Sequence, residues 1–162
     1  MPKYSELLSD EEIIGMISPD SKRILLLACS GCINESLAFK HSLPIISYGD
    51  TERYPAIESE CVRLTKLLIA KGFSVDTLYL PPGTKCIRNL DEEQFSLPSK
   101  INPDIILVLA CPDGLWGLSK LIKDIPMIRI SKWMGTIFYR YHDNGIERRV
   151  ERGKISAFPT AT

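Results

Sequence analysis

Two short, uninterrupted apolar runs constrain the fold of this chain most. Residues 24–28 read Ile-Leu-Leu-Leu-Ala, and residues 105–111 read Ile-Ile-Leu-Val-Leu-Ala-Cys. Strands with one exposed face alternate apolar and polar side chains, whereas strands buried on both faces are apolar throughout. The longer run has seven residues, far fewer than the roughly 20 that a membrane-spanning helix needs. The two runs therefore predict strands at 24–28 and 104–110, inside a parallel sheet that is covered on both faces.

Helical signals fall between these predicted strands. Ser9 and Glu12 fit a capping box, which predicts a short helix through about residue 16. A longer helix should begin near Pro55 and end at Gly72, because proline suits the first turn of a helix and glycine the position after its end. Its apolar residues recur every three or four positions, as on a buried helix face: Ile57, Cys61, Leu64 and Leu68.

The remaining signals complete an alternation of strands and helices, which is typical of an α/β domain with a mostly parallel sheet. We predict further strands at 74–80 and 127–130, helices at 34–40 and 115–123, a helix starting near residue 91, and a hairpin of strands 136–141 and 146–151. The expected fold is a Rossmann-like or flavodoxin-like three-layer sandwich in which the C-terminal β-hairpin adds to one sheet edge. The length of 162 residues predicts a single domain, 1–162.

The balance of charged residues limits the kinds of molecule that this protein is expected to bind. Lys+Arg and Asp+Glu number 20 each, so the net charge is zero, which argues against nucleic acid or an anionic membrane as a partner. The first twelve residues are acidic and polar and lack the apolar core of a signal peptide. We therefore expect a cytoplasmic protein, in which cysteines serve as metal ligands, reactive thiols or core residues rather than in disulfides.

Four of the five cysteines follow predicted strands. Cys29 and Cys32 come after the first strand, Cys86 lies six residues past the second, and Cys111 directly follows the third. The carboxyl ends of parallel strands meet at one edge of the sheet, where ligands of open α/β folds bind. Four thiols there match the donors of a tetrahedral zinc ion or a [4Fe–4S] cluster. Cys61 is the exception, because on a helix stripe cysteine behaves as a small hydrophobe.

The residues leave two other functions open. In the first, the chain is a Rossmann-like enzyme that binds a nucleotide or another small molecule, with Cys29 as a nucleophile or the Cys29–Cys32 pair as a redox switch. In the second, the cysteines hold a structural zinc ion without catalysis. A carboxylate near the thiols, Glu35 or Asp113, is a candidate proton donor in any catalytic version.

The segment Cys-Ser-Gly-Cys-Ile-Asn-Glu-Ser-Leu, residues 29–37, resembles a motif in the small subunit of nickel–iron hydrogenases. The glutamate stands one residue further from the second cysteine than in that family. Cys111-Pro112 is similar to the family's late Cys-Pro step. The resemblance implies a [4Fe–4S] cluster bound by Cys29, Cys32 and Cys111, with Cys86 as the further ligand.

A second resemblance covers residues 104–135, where a strand ending in Ala-Cys is followed by a predicted helix, a Pro-x-Ile step and a later Gly-Thr. This pattern is similar to small iron–sulfur accessory proteins of methylenetetrahydrofolate reductases. Both resemblances imply electron transfer or an accessory redox role beside a protein redox partner. The leading hypothesis is therefore an iron–sulfur protein, with zinc as the alternative metal.

Overall fold

A computed structural model describes residues 2–43, 55–80, 86, 89, 95, 97–142 and 145–152 of the chain. Within these residues the chain forms a mixed α/β structure with one parallel and one antiparallel sheet. The elements are β1 (Lys3–Leu7), α1 (Asp10–Met16), β2 (Arg23–Cys29), α2 (Cys32–Lys40), α3 (Pro55–Ala70), β3 (Ser74–Leu80), β4 (Ile105–Leu109), α4 (Pro112–Leu121), β5 (Met127–Arg129), β6 (Ser131–His142) and β7 (Gly145–Arg152).

The parallel sheet has the strand order β3-β2-β4-β5. Strands β2 and β4, which contain the two apolar runs, are its central pair, and Ala28 lies in register with Leu109. Leu80 ends β3 in register with Cys29. The prediction of buried parallel strands is therefore confirmed, because central strands leave neither face to solvent.

Helices cover this sheet on both faces. Leu26 and Ala28 of β2 face a first core, to which α1 and α3 contribute Ile13 and Leu64. The alternate residues of β2, among them Leu27, face a second core that includes residues of α4. This alternation along one apolar strand places two separate hydrophobic cores on the two sides of the sheet.

The antiparallel sheet has the order β1-β6-β7 and is separate from the parallel sheet. The predicted hairpin exists as β6 and β7, but its expected addition to an edge of the parallel sheet is wrong. Strand β1, which the sequence analysis did not predict, pairs with β6 instead, with Tyr4 opposite Gly135. Because β1 and β6 are far apart in sequence, their pairing leaves no local signal.

The helices begin where local chemistry favours them. Ser9 and Glu12 form both bonds of the capping box, and Gly72, just past α3, has a φ of +91°, which favours glycine. Helices α2 and α4 both begin earlier than predicted, at Cys32 and Pro112.

The predicted helix near residue 91 lies outside the described residues. In the part of the chain that the structure describes, no helix is long and apolar enough to cross a membrane.

Candidate metal centre

The two central strands place cysteines at their carboxyl ends. Cys29 is the last residue of β2, and Cys111 follows β4 as the N-cap of α4. Cys32 is the first residue of α2. In the parallel sheet, β3 lies on one side of β2, and β4 and β5 lie on the other side. The direction in which successive strands are added therefore reverses between β2 and β4. Ligands of open α/β sheets bind in the crevice at this switch point.

The thiols near this edge interact in pairs and do not form one ligand group. The thiols of Cys32 and Cys111 are hydrogen-bonded to each other. Cys29 interacts electrostatically with Cys111 and with Cys86, which is exposed and also interacts with Cys32. Cys29, Cys32 and Cys111 thus lie at the ends of β2 and β4 or directly after them, while the four-cysteine ligand set stays a prediction.

Cys61 lies apart from this group, as predicted. It is buried at 1% exposure in the first core, on the stripe of α3. Its thiol is hydrogen-bonded to Tyr79 of β3, and its other electrostatic neighbours are Glu58 and Glu60. The side chain therefore fills the space between α3 and the sheet.

A main-chain N–H group donates a hydrogen bond to one thiol, and two others act on neighbouring thiols through their dipoles. Gly31 donates to Cys29 Sγ at 3.4 Å. The main-chain N–H groups of Lys3 and Gly114 favour the thiolate forms of Cys32 and Cys111 electrostatically, but Cys111 as the N-cap of α4 accepts no capping hydrogen bond. The bond to Cys29 favours its thiolate form, and hydrogen bonds to ligand sulfur tune the properties of metal centres.

Burial opposes ionisation of the same thiols. Desolvation raises the pKa of Cys29 to about 12. The bond between Cys32 and Cys111 lowers the pKa of Cys32 and raises that of Cys111, since Cys111 donates its proton toward the Cys32 sulfur. Without a metal, Cys29 and Cys111 therefore keep their protons at neutral pH, and binding a metal through them must release protons.

The thiols are not already closed around a single ion. Among the described residues, no three His, Cys, Asp or Glu side chains are placed so that they could hold a metal ion. The direct thiol contact is the pair Cys32 and Cys111. In a [4Fe–4S] cluster each thiolate binds its own iron, so cluster ligands surround the group without meeting at one point.

The two candidate proton donors lie beside the cysteines. Glu35 of α2 is buried at 2% exposure, and its Oε2 accepts a hydrogen bond of 3.0 Å from the Tyr139 hydroxyl. Burial raises the pKa of Glu35. Tyr139 interacts electrostatically with Cys32 and so connects Glu35 to the thiols. Asp113 is in the first turn of α4 and interacts electrostatically with Cys111.

Arg129 is the functional candidate that sequence reasoning missed. It is the last residue of β5, half-buried, and it interacts electrostatically with Cys111. Its signal in the sequence is a single charge within the apolar run Met-Ile-Arg-Ile at a predicted strand end.

Family models, curated proteins and solved structures were each compared with the chain, and none of them matched it. The functional assignment therefore depends on the residues at the strand ends.

Proposed function

We propose that this chain binds a [4Fe–4S] cluster at the carboxyl ends of β2 and β4 and acts in electron transfer or as an accessory redox subunit. The ligands are Cys29, Cys32, Cys86 and Cys111. The proposal includes a cytoplasmic location, a protein redox partner and a flavodoxin-like fold. The strand order supports the fold, because the parallel strands taken in chain order lie as 2-1-3-4, the start of the flavodoxin-like order.

The observation that carries the proposal is the placement of Cys29, Cys32 and Cys111 at the carboxyl ends of β2 and β4, with main-chain N–H groups that favour their thiolate forms. Gly31 donates a hydrogen bond to Cys29 Sγ, and the N–H dipoles of Lys3 and Gly114 act on Cys32 and Cys111. A cysteine that only fills core space does not need a main-chain donor, since thiols form weak hydrogen bonds. A thiolate bound to iron carries negative charge and gains from each donor.

The protein groups have distinct roles in this proposal. The four thiolates hold the cluster, which supplies one-electron storage when bound. Gly31 gives the turn between Cys29 and Cys32 a main chain that can approach the sulfur closely. The second core excludes water from the Cys29 side, and exclusion of solvent is one of the features that set the potential of such a centre. Cys86 is on the exposed side, where a redox partner could approach.

Structural zinc is the second candidate, because the direct contact between Cys32 and Cys111 suits the small tetrahedron of thiolates around one ion. The third function, an enzyme with a reactive thiol, has less support at Cys29. A buried thiol with a pKa of about 12 is almost wholly protonated at neutral pH and is a poor nucleophile.

Serine substitution of each cysteine tests the ligand set. In protein purified without oxygen, Cys29→Ser, Cys32→Ser, Cys86→Ser and Cys111→Ser should each lower iron content by at least half, because each removes a thiolate ligand. Cys61→Ser is the control, since Cys61 is also a buried cysteine but lies on α3 in the first core. Wild-type iron in the four variants, or equal loss in Cys61→Ser, would contradict the assignment.

A further inference from the structure

The two faces of the parallel sheet divide the thiols at its carboxyl edge. Cys29 belongs to the second core, together with Leu27 of the same strand. On the neighbouring strand β4, Leu109 belongs to the first core, and Ala110 belongs to the second. The backbone of Cys111 is still extended, with φ −71° and ψ 170°, and successive residues of an extended chain alternate between faces. Cys111 therefore lies on the face of Leu109, on the side of the sheet away from Cys29.

Helix α2 brings Cys32 to the same side as Cys111. Ile33 of this helix belongs to the first core, and Cys32 is the first residue of the helix. Strands β2 and β4 are paired, with Ala28 in register with Leu109, and paired strands lie about 4.8 Å apart. Helix α2 thus begins beside the end of β4, where the thiols of Cys32 and Cys111 are hydrogen-bonded to each other.

The two thiols of this pair differ in their access to solvent. Both are free in the structure, but Cys32 is partly exposed, whereas Cys111 is buried. A small oxidant therefore reaches Cys32 first, and Cys111 is the thiol already in contact with it. Sulfur atoms in hydrogen-bonding contact need little movement of the main chain to reach the geometry of a disulfide. Cys29 is closer to Cys32 in sequence, but it belongs to the opposite face.

We propose that Cys32 and Cys111 form a reversible disulfide when a peroxide oxidises the protein. The Cys32 sulfur loses its proton and attacks one oxygen of hydrogen peroxide, which breaks the O–O bond, releases hydroxide and leaves a sulfenic acid on Cys32. The Cys111 sulfur then attacks the Cys32 sulfur, the S–O bond breaks, and water leaves. In total the two thiols lose two electrons and two protons, and the peroxide becomes two molecules of water. A dithiol reverses the reaction by thiol–disulfide exchange.

The disulfide would join the start of α2 to the start of α4 and remove two thiols from the proposed ligand set. Metal binding through these thiols and the disulfide therefore exclude each other, whichever metal the site takes. The formation of the disulfide does not depend on the proposed function, because it needs only the two thiols and the oxidant.

Peptide mapping under non-reducing conditions tests the pairing in the metal-free, full-length chain after treatment with hydrogen peroxide. The expected product is a monomer that has lost two of its five thiols and in which tryptic peptide 24–40 is linked to tryptic peptide 101–120. Dithiothreitol should restore both thiols. Peptide 24–40 contains Cys29 as well as Cys32, so Cys29→Ser identifies the bonded residue, and this variant should form the same link.

Cys32→Ser and Cys111→Ser should each abolish the link. Cys61→Ser is the control, because Cys61 lies on α3 in the first core, and it should form the link to the same extent as wild type. If Cys29→Ser fails to fold, fragmentation of the linked wild-type peptides locates the bonded sulfur. A disulfide between Cys29 and Cys32, a disulfide between two chains, or retention of all thiols would overturn the proposal.

Iron uptake before and after oxidation separates this proposal from the proposed function. When iron and sulfide are added without oxygen, the reduced chain should bind iron, and the oxidised chain should lose almost all of that binding because two ligands are missing. A reduced chain that binds no iron but still forms the link defeats the proposed function and leaves the disulfide supported. Equal iron uptake by the reduced chain and by the chain with the mapped disulfide would overturn the exclusion of metal by the disulfide.

Discussion

Cys29 and Cys61 are both buried thiols whose pKa burial raises to about 12, yet their surroundings differ. Cys29 ends a central strand, accepts the N–H of Gly31, and has two further thiols within electrostatic reach. Cys61 meets Tyr79 and the two glutamates of its own helix. Burial alone therefore does not distinguish a metal ligand from a core residue. We propose Cys29 rather than Cys61 as a ligand because Cys29 has other thiols within electrostatic reach and accepts a main-chain N–H.

The largest expected effect is a difference in alkylation rate between the cysteines of the metal-free protein. Iodoacetamide should label the exposed Cys86 first and the buried Cys29, Cys61 and Cys111 last. A pKa near 12 leaves a thiolate fraction over ~1000-fold below that of an ordinary cysteine with a pKa of about 8.5. Peptide mass spectrometry over a time course measures each site under non-denaturing conditions.

Labelling of Cys29 as fast as Cys86 would contradict this account and favour the enzyme with a nucleophilic Cys29. A fast reaction at Cys32 is compatible with the account, because its bond with Cys111 lowers the Cys32 pKa. Repeating the time course with iron bound sharpens the comparison. Cys86 and Cys32 should then be protected, and the slow rate at Cys61 should not change.

The next effect is a loss of stability on truncating the core thiol. Cys61→Ala should lower the free energy of unfolding by about 1–2 kcal/mol, because it leaves a small cavity between α3 and β3. The exposed Cys86 provides the control, and Cys86→Ala in metal-free protein should change stability by less than about 0.5 kcal/mol. Urea titration measures both. Equal losses would show that Cys61 contributes no more packing than a surface residue.

The smallest effect concerns the carboxyl group beside the thiols. Burial raises the folded-state pKa of Glu35, against opposing contributions from the Tyr139 hydroxyl and the Arg148 charge. The folded state therefore holds this proton more tightly, so the associated stability is present below the unfolded pKa of about 4.3 and is lost as pH rises through the folded value.

Glu35→Gln removes this titration but keeps an acceptor for Tyr139. The unfolding free energy of the variant should depend less on pH than that of wild type between the unfolded pKa of Glu, about 4.3, and neutral pH. Wild type should therefore lose stability relative to the variant as pH rises. Denaturation at several pH values in metal-free protein checks this. A wild-type advantage that grows with pH would have the wrong sign.

The sequence allowed the parallel sheet and its thiols to be predicted because those signals are local. The apolar runs located β2 and β4, and Cys29 and Cys111 lie at the strand ends where the runs placed them. Strand β1 was missed because its five residues include Lys3, Ser5 and Glu6, and its partner β6 is over a hundred residues away. The sequence showed neither the pairing of β1 with β6 nor the register of Arg129 in β5 with Val108 in β4.

Iron and acid-labile sulfide in wild-type protein purified without oxygen test the central claim most directly. The account predicts about four iron and four sulfide per chain, with a broad absorption band near ~400 nm, as expected for a Cys₄-bound cubane. One zinc and no sulfide would keep the ligand set but contradict the redox function. Protein with neither metal would contradict the account as a whole.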